Sequence, residues 1–126
     1  MKEIVKKWLD RVEYDIQTAE AMLDAGRTIY AVFMCQQALE KCFKALIEHR
    51  GEEPYPIHNL RRLSALCKAG FDEEGMVKLD FLSQYYINAR YKDDVAELAR
   101  GLTKEMVAGF ITFSKETIEW LKREMK

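Results

Sequence analysis

The sequence has little of what marks several classes of protein. Only 2 of its 126 residues are proline and 6 are glycine, whereas 48% are apolar, which excludes collagen-like and disordered chains. Lys and Arg number 20 against 21 Asp and Glu, so the net charge is −1 and no overall cationic field indicates nucleic-acid binding. Any site for a polyanion must therefore be local. From the length we expect a single domain, residues 1–126.

Long apolar segments are lacking as well. The longest runs only from Ile29 to Cys35, far below the ~18 residues that a transmembrane helix requires. The N-terminal Met1-Lys2-Glu3 does not lead into the apolar region of a signal peptide. We therefore expect a cytoplasmic protein that does not associate with membranes.

The cysteines form no recognisable site. Cys35 and Cys42 lie in one predicted helix and are separated by roughly 10 Å of helical rise, too far for a disulfide. Cys67 has no partner at a useful spacing, and only His49 and His58 could complete a metal site. We therefore expect reduced thiols in the core, with no metal ion or other cofactor.

Apolar residues at helical spacing predict an all-α protein, an up-and-down bundle of about five helices. No segment shows the alternation of a strand. The first helix has its apolar stripe from Val5 to Leu23 and should end at Gly26, because glycine accepts the left-handed conformation common after a helix. The second should run from about Thr28 to Arg50, and its many apolar residues make it the central helix.

Three more helical patterns follow a loop that contains both prolines. For the third helix His58 or Asn59 is the candidate N-cap and Gly70 the candidate stop. The fourth helix should begin near Glu73, and Thr103 should cap the last. The residues predicted to face the core in these helices are Leu60, Leu63, Leu66, Leu79, Leu82, Tyr86, Val107, Phe110, Ile111, Ser114, Ile118 and Leu121.

Standard enzyme signatures such as a Walker loop or His-Glu-x-x-His are absent from the sequence, so three polar clusters carry the functional argument. The first, on the central helix, includes Gln37, Lys41 and Lys44 with Glu40 and Glu48. It is either a solvated face held by i, i+4 pairs or a groove in which the two lysines bind phosphate. Residues 41–68 hold six basic and three acidic side chains, which favours the groove.

The second cluster is His58, next to the predicted start of the third helix. A helix N-terminus attracts anions, and a histidine titrates near neutral pH. His58 can therefore bind phosphate or donate a proton there. The alternative is a histidine that only caps or packs.

The third cluster is Arg90 with Tyr86 and Tyr91, where the helical periodicity of the fourth helix is lost. Arg90 continues the face of Tyr86, since it lies four residues later. A guanidinium flanked by phenols can bind a phosphate through two N–H groups while a base stacks on a ring. Alternatively, Arg90 pairs with Asp93 or Asp94.

Together these residues resemble the HEPN family, small all-α proteins named for higher eukaryotes and prokaryotes nucleotide-binding. The matching pieces are Trp8 with the first helical stripe, Phe33-x-x-Gln36-Gln37-Ala38-x-Glu40-Lys41-x-x-Lys44-Ala45-Leu46, His58-Asn59-Leu60 and Tyr86-x-x-x-Arg90-Tyr91. The resemblance implies a helical bundle, often dimeric, that works with a minimal nucleotidyltransferase as a toxin–antitoxin or nucleotide-handling pair.

Many members of this family are metal-independent ribonucleases that use an arginine followed a few residues later by a histidine. Here Val95, Ala96 and Glu97 stand where that histidine is expected, so the ribonuclease motif is incomplete. The sequence therefore favours a non-catalytic module that binds a nucleotide or RNA. The candidate binding residues are Gln37, Lys41, Lys44, His58, Tyr86, Arg90 and Tyr91.

Two other functions remain open, a ribonuclease toxin in which Arg90 acts with His58, and a helical scaffold that only binds another protein. The last helix bears on assembly, because Met106, Phe113 and Trp120 form a second apolar stripe at seven-residue spacing. If this stripe is exposed, it predicts a homodimer in which two Arg90 sites share one cleft. The alternative is a wide core face.

Overall fold

The all-α bundle is confirmed by a computed structural model, which describes every residue except Tyr55, Lys92 and Asp93. The described residues contain six helices and no strand. None of these helices combines the length and the apolar character needed to cross a membrane. The helices are α1 (Glu3–Asp24), α2 (Thr28–His49), α3 (Leu60–Leu66), α4 (Glu73–Tyr91), α5 (Val95–Ala99) and α6 (Lys104–Arg123).

Helix α2 is the centre of the bundle, as its apolar character predicts. It packs against each of the other five helices. Its Leu39, Phe43 and Leu46 are fully buried and belong to one apolar cluster with Val5 and Val12 of α1. Polar side chains on α2 are therefore held in fixed positions by the core around them.

The predicted ends of the long helices agree with the structure. Gly26 follows α1 with a φ of 77°, and the next residue, Arg27, donates its backbone N–H to the Met22 carbonyl at 2.7 Å. Thr103 caps α6 by accepting the backbone N–H of Met106 at 3.1 Å. Of the two candidate caps for α3, Asn59 is the one that accepts a backbone N–H, from Arg62 at 3.0 Å.

Two predictions for α3 are wrong. Leu66 is 47% exposed, because the inward positions follow the i, i+3, i+7 spacing of Leu60, Leu63 and Cys67, and Leu66 falls outside that stripe. The helix ends before Gly70. Lys68 takes the left-handed conformation with a φ of 56°, and the Ala69 N–H donates to the Ser64 carbonyl at 3.0 Å.

The short helix α5 follows the segment, near Arg90, where helical periodicity is lost in the sequence. Five residues are too few to establish an apolar repeat. The Tyr85 hydroxyl donates to the Leu98 carbonyl at 2.7 Å, which fixes α5 against α4. Asp94, one predicted partner of Arg90, instead caps α5 by accepting the backbone N–H of Glu97. The other predicted partner, Asp93, lies outside the described residues.

The second apolar stripe of α6 is partly buried rather than exposed. Met106, Phe113 and Trp120 all pack against the core, and the Phe113 ring lies 6.0 Å from that of Phe71. This arrangement supports the interpretation that α6 has a wide core face, to which these three side chains belong. The homodimer stays a prediction.

The cysteines are free and buried, as predicted. Burial raises the pKa of Cys35 and of Cys42 to about 12. It raises the pKa of Cys67 to about 11. Because the thiolate is the reactive form of cysteine, the folded protein keeps these groups inert near neutral pH.

We therefore expect no thiol to react with an aromatic disulfide reagent in the native protein near neutral pH. After unfolding in guanidinium all three cysteines should react, which the released chromophore measures directly. A thiol that reacts in the native protein as fast as in the unfolded chain would contradict this burial.

Candidate functional site

The buried carboxylate of Glu40, on α2, lies at the centre of the candidate site. Its Oε1 accepts a hydrogen bond from Gln36 Nε2 at 2.9 Å, and its Oε2 accepts one from Lys44 Nζ at 3.0 Å. His58 Nδ1 lies 3.1 Å from both carboxylate oxygens. Gln36, Glu40 and Lys44 follow at i, i+4 spacing, so α2 itself places them on one face. His58 is the one member that comes from outside the helix.

The Glu40 carboxyl is ionised in spite of its burial. Burial by itself would raise the pKa of Glu40, but the hydrogen bonds from Gln36, Lys44 and His58 outweigh it, and the pKa lies below the ordinary 4.5. Only 9% of the Glu40 side chain is exposed. An ionised carboxylate accepts hydrogen bonds through both oxygens, which is what all three neighbours require.

The two glutamines of α2 connect this network to the segment before α3. Besides binding Glu40, Gln36 Nε2 donates to the backbone carbonyl of His58 at 3.2 Å. Gln37 Nε2 donates to Gln36 Oε1 at 2.8 Å. Gln37, a predicted phosphate-binding residue, thus supports the side chain that positions His58.

The rings of Phe33, Tyr86 and His58 lie beside this network. We call these three residues, together with Arg90 and Tyr91, the aromatic face. The Tyr86 ring stacks on Phe33 at 5.0 Å between centroids and lies 6.0 Å from the His58 ring. Arg90 Cζ is 5.4 Å from the centroid of Tyr86. The fold therefore brings His58 and Arg90 to the same tyrosine, although they are far apart in the sequence.

The cation of the aromatic face is open to a ligand. Arg90 and Tyr91 are exposed, and Arg90 Cζ lies 5.7 Å from the Tyr91 ring. Within the described part of the chain, Arg90 has these cation–π contacts but no hydrogen bond or ion pair. The His58 side chain is 53% exposed. The arrangement thus exposes a guanidinium and an imidazole that both lie against the Tyr86 ring.

Lys41 and Lys44 line a different surface, a groove of about 330 Å³ between α1 and α2. We call it the α1–α2 groove. Lys44 pairs with Glu40, as the i, i+4 spacing predicts. Lys41 pairs across helices with Asp15 of α1, at 2.6 Å between Nζ and Oδ2. Both predicted phosphate ligands thus have carboxylate partners, and His58 and Arg90 are not among the residues that line this groove.

Sequence reasoning missed Asp15 as a site residue. It is buried and accepts from both Lys41 and Arg11, the latter at 3.3 Å. A signal was present, since Asp15 falls on the apolar stripe of α1 between Val12 and Ile16. A carboxylate on a core stripe requires a partner.

With this geometry in place, comparison with known proteins identifies the fold family. The family model of the HEPN domain matches residues 5–124. The chain belongs to the HEPN family. HEPN domains are nucleotide-binding or ribonuclease-like helical modules, and the resemblance carried by the sequence motifs is confirmed.

Two solved structures resemble this HEPN protein along all or nearly all of their length. A crystal structure of an archaeal HEPN homologue has a TM-score of 0.79 and 23% identity, with 100% of both chains covered. The protein TT1696 from Thermus thermophilus has a TM-score of 0.83 and 23% identity, with 98% of this chain and 99% of that chain covered. At this identity the likeness establishes the fold. Among curated proteins none matches the sequence significantly.

The Glu40 network of this HEPN protein predicts that removing one charge has a large effect on stability. Glu40→Gln leaves Lys44, which is 10% exposed, without its counter-charge, and should lower the free energy of unfolding by about 3 kcal/mol near neutral pH. Because the pKa of Glu40 is lowered by folding, its stabilisation is complete above the ordinary value of 4.5 and is lost as the pH falls through the folded value. The difference from wild type should therefore shrink in acid.

Urea unfolding at several pH values measures this difference. Glu20→Gln is the matched control, since Glu20 pairs with Lys115 at 3.1 Å with both side chains about half exposed, a pair that contributes about 1 kcal/mol at most. An equal decrease in the free energy of unfolding in the two variants would contradict the role given to Glu40, as would a decrease in Glu40→Gln that persists unchanged in acid.

Proposed function

We propose that this HEPN protein is a non-catalytic module that binds a nucleotide or RNA at its aromatic face. The observation that carries the proposal is the position of Arg90, 5.4 Å from the Tyr86 ring and without an ion pair among the described residues. A guanidinium binds phosphate through parallel N–H groups, and an exposed aromatic ring stacks on a base. Tyr91, which is 75% exposed, supplies such a ring.

His58 completes the site in this proposal. Its Nδ1 faces the Glu40 carboxylate, so the second ring nitrogen, Nε2, is left for the ligand. Arg90 and His58 would then contact neighbouring phosphates or one phosphate from two sides.

The proposed partner is a minimal nucleotidyltransferase encoded beside this protein in a two-gene, toxin–antitoxin type system. Support for the partner comes from the HEPN resemblance, with its Gln36-Gln37 and Arg90-Tyr91 motifs. We further propose a cytoplasmic homodimer, in which two aromatic faces bind one ligand. Co-expression with the neighbouring gene product tests the partnership, and separate elution of the two proteins in size-exclusion chromatography would refute it.

A ribonuclease is the second candidate function, favoured by the meeting of Arg90 and His58 at Tyr86. A carboxylate that orients one imidazole nitrogen leaves the other free to take a proton, and the 2′-OH of RNA must lose one when it attacks the adjacent phosphate. Arg90 would stabilise the charge on that phosphate. This reaction needs no metal ion, so it should continue in the presence of a chelator.

Loss of the Arg90 charge should weaken binding of a fluorescent single-stranded RNA at least ten-fold. A hydrogen bond to a charged group contributes about 1.5–3 kcal/mol, which corresponds to roughly ten-fold or more in affinity. Fluorescence anisotropy of wild type and Arg90→Ala measures the change. Arg123→Ala, an exposed arginine at the end of α6, is the control that should keep wild-type affinity.

Equal affinities of Arg90→Ala and Arg123→Ala would refute the proposed site, as would a wild type that binds neither RNA nor ATP. The same samples distinguish the two candidate functions. RNA that stays intact with wild type supports a binding module. Cleavage in the presence of EDTA that is abolished by His58→Ala would establish the ribonuclease instead.

A further inference from the structure

The α1–α2 groove combines an apolar floor with a cationic rim. Ile4, Lys7, Trp8 and Arg11 follow one another at i, i+3, i+4 and i+7 on α1, so they form one stripe along the groove. Trp8 is partly buried against the core, and Ile4 is 44% exposed. A tryptophan beside basic side chains suits a ligand that has a planar ring and a negative charge.

The charges of the groove are not balanced within the protein. Arg11 and Lys41 share a single carboxylate, that of Asp15, and Lys44 is paired with Glu40. Lys7 is exposed and has no hydrogen bond or ion pair in the part of the chain that the structure describes. Four cations thus meet two carboxylates, in a chain whose net charge is −1. This local excess favours an anion.

We propose that the α1–α2 groove is a second binding site, for a nucleoside monophosphate whose base stacks on Trp8 and whose phosphate is bound by Lys7 and Arg11. The groove of about 330 Å³ is of the size that small-ligand sites have, about 300–1,000 Å³. Arg11 lies one helical turn beyond Lys7, so both side chains reach one phosphate. This site does not depend on the function proposed for the aromatic face, because Arg90, Tyr86 and His58 do not line it.

Trp8 itself reports on occupancy. The protein has 2 tryptophans, so Trp120→Phe leaves Trp8 as the single indole, and a circular dichroism melt verifies that this variant is folded. Titration with AMP and with UMP should quench Trp8 fluorescence saturably, since a stacked base quenches indole emission. Adenosine, which lacks the phosphate, should bind at least ten-fold more weakly than AMP.

Two substitutions in this background locate the phosphate. Lys7→Glu should weaken AMP binding at least ten-fold. Lys6→Glu changes the net charge equally and is exposed on the same helix but does not line the groove, so it should keep the parent affinity. Adding Arg90→Ala should also leave the quenching unchanged, which separates this site from the aromatic face.

Four results would overturn the proposal. They are the absence of saturable quenching with either nucleotide at millimolar concentration, equal affinities of Lys7→Glu and Lys6→Glu, equal affinities for AMP and adenosine, and loss of quenching with Arg90→Ala. The last result would assign the ligand to the aromatic face. Binding that needs Lys7 and not Arg90 is the outcome that the groove geometry predicts.

Discussion

The ionised carboxylate of Glu40 is the constraint on which the candidate site depends. A charge on the central helix, almost removed from water, is stable only while donors surround it. Two of its donors, Gln36 and Lys44, come from α2 at the spacing of one helical turn. The third, His58, comes from the segment before α3, so the charge fixes that segment to the middle of the bundle.

The position of His58 in turn determines what lies on the surface. Its ring is held near Tyr86, and Tyr86 is one turn before Arg90 on α4. One buried charge on α2 thus helps assemble a surface made by three parts of the chain. Glu40 also lines the α1–α2 groove, as does Lys44, with which it pairs. The two proposed binding surfaces therefore share a carboxylate, although their ligand-facing residues differ.

Sequence periodicity was sufficient for the long helices, because α1, α2 and α6 each repeat their apolar stripe over several turns. It failed for short elements. In α3 a stripe of only two turns predicts Leu66 inside, although it is exposed, and glycine preference predicts a stop at Gly70, although Lys68 is the residue that adopts the left-handed conformation. Helix α5 is too short to display a period at all.

The site divides in the same way between local and tertiary information. The Tyr86–Arg90 and Glu40–Lys44 pairs follow from i, i+4 spacing and are visible in the sequence. The contacts of His58 with Glu40 and Tyr86, and of Lys41 with Asp15, join residues from different elements, so they require the packed bundle. Sequence could supply the candidate residues but not their grouping into an aromatic face and a separate groove.

The most direct test of the central claim is NMR of the arginine Nε–Hε signals during titration with a short single-stranded RNA, the Arg90 signal being identified by its absence from Arg90→Lys. We predict that the Arg90 signal shifts as RNA is added and that this shift saturates. The signals of Arg123 and Arg61 should not shift. Arg61 is paired with Asp80 at 2.8 Å. Arg90 unmoved at saturating RNA, or equal shifts of all three arginines, would contradict the claim that the aromatic face is the binding site.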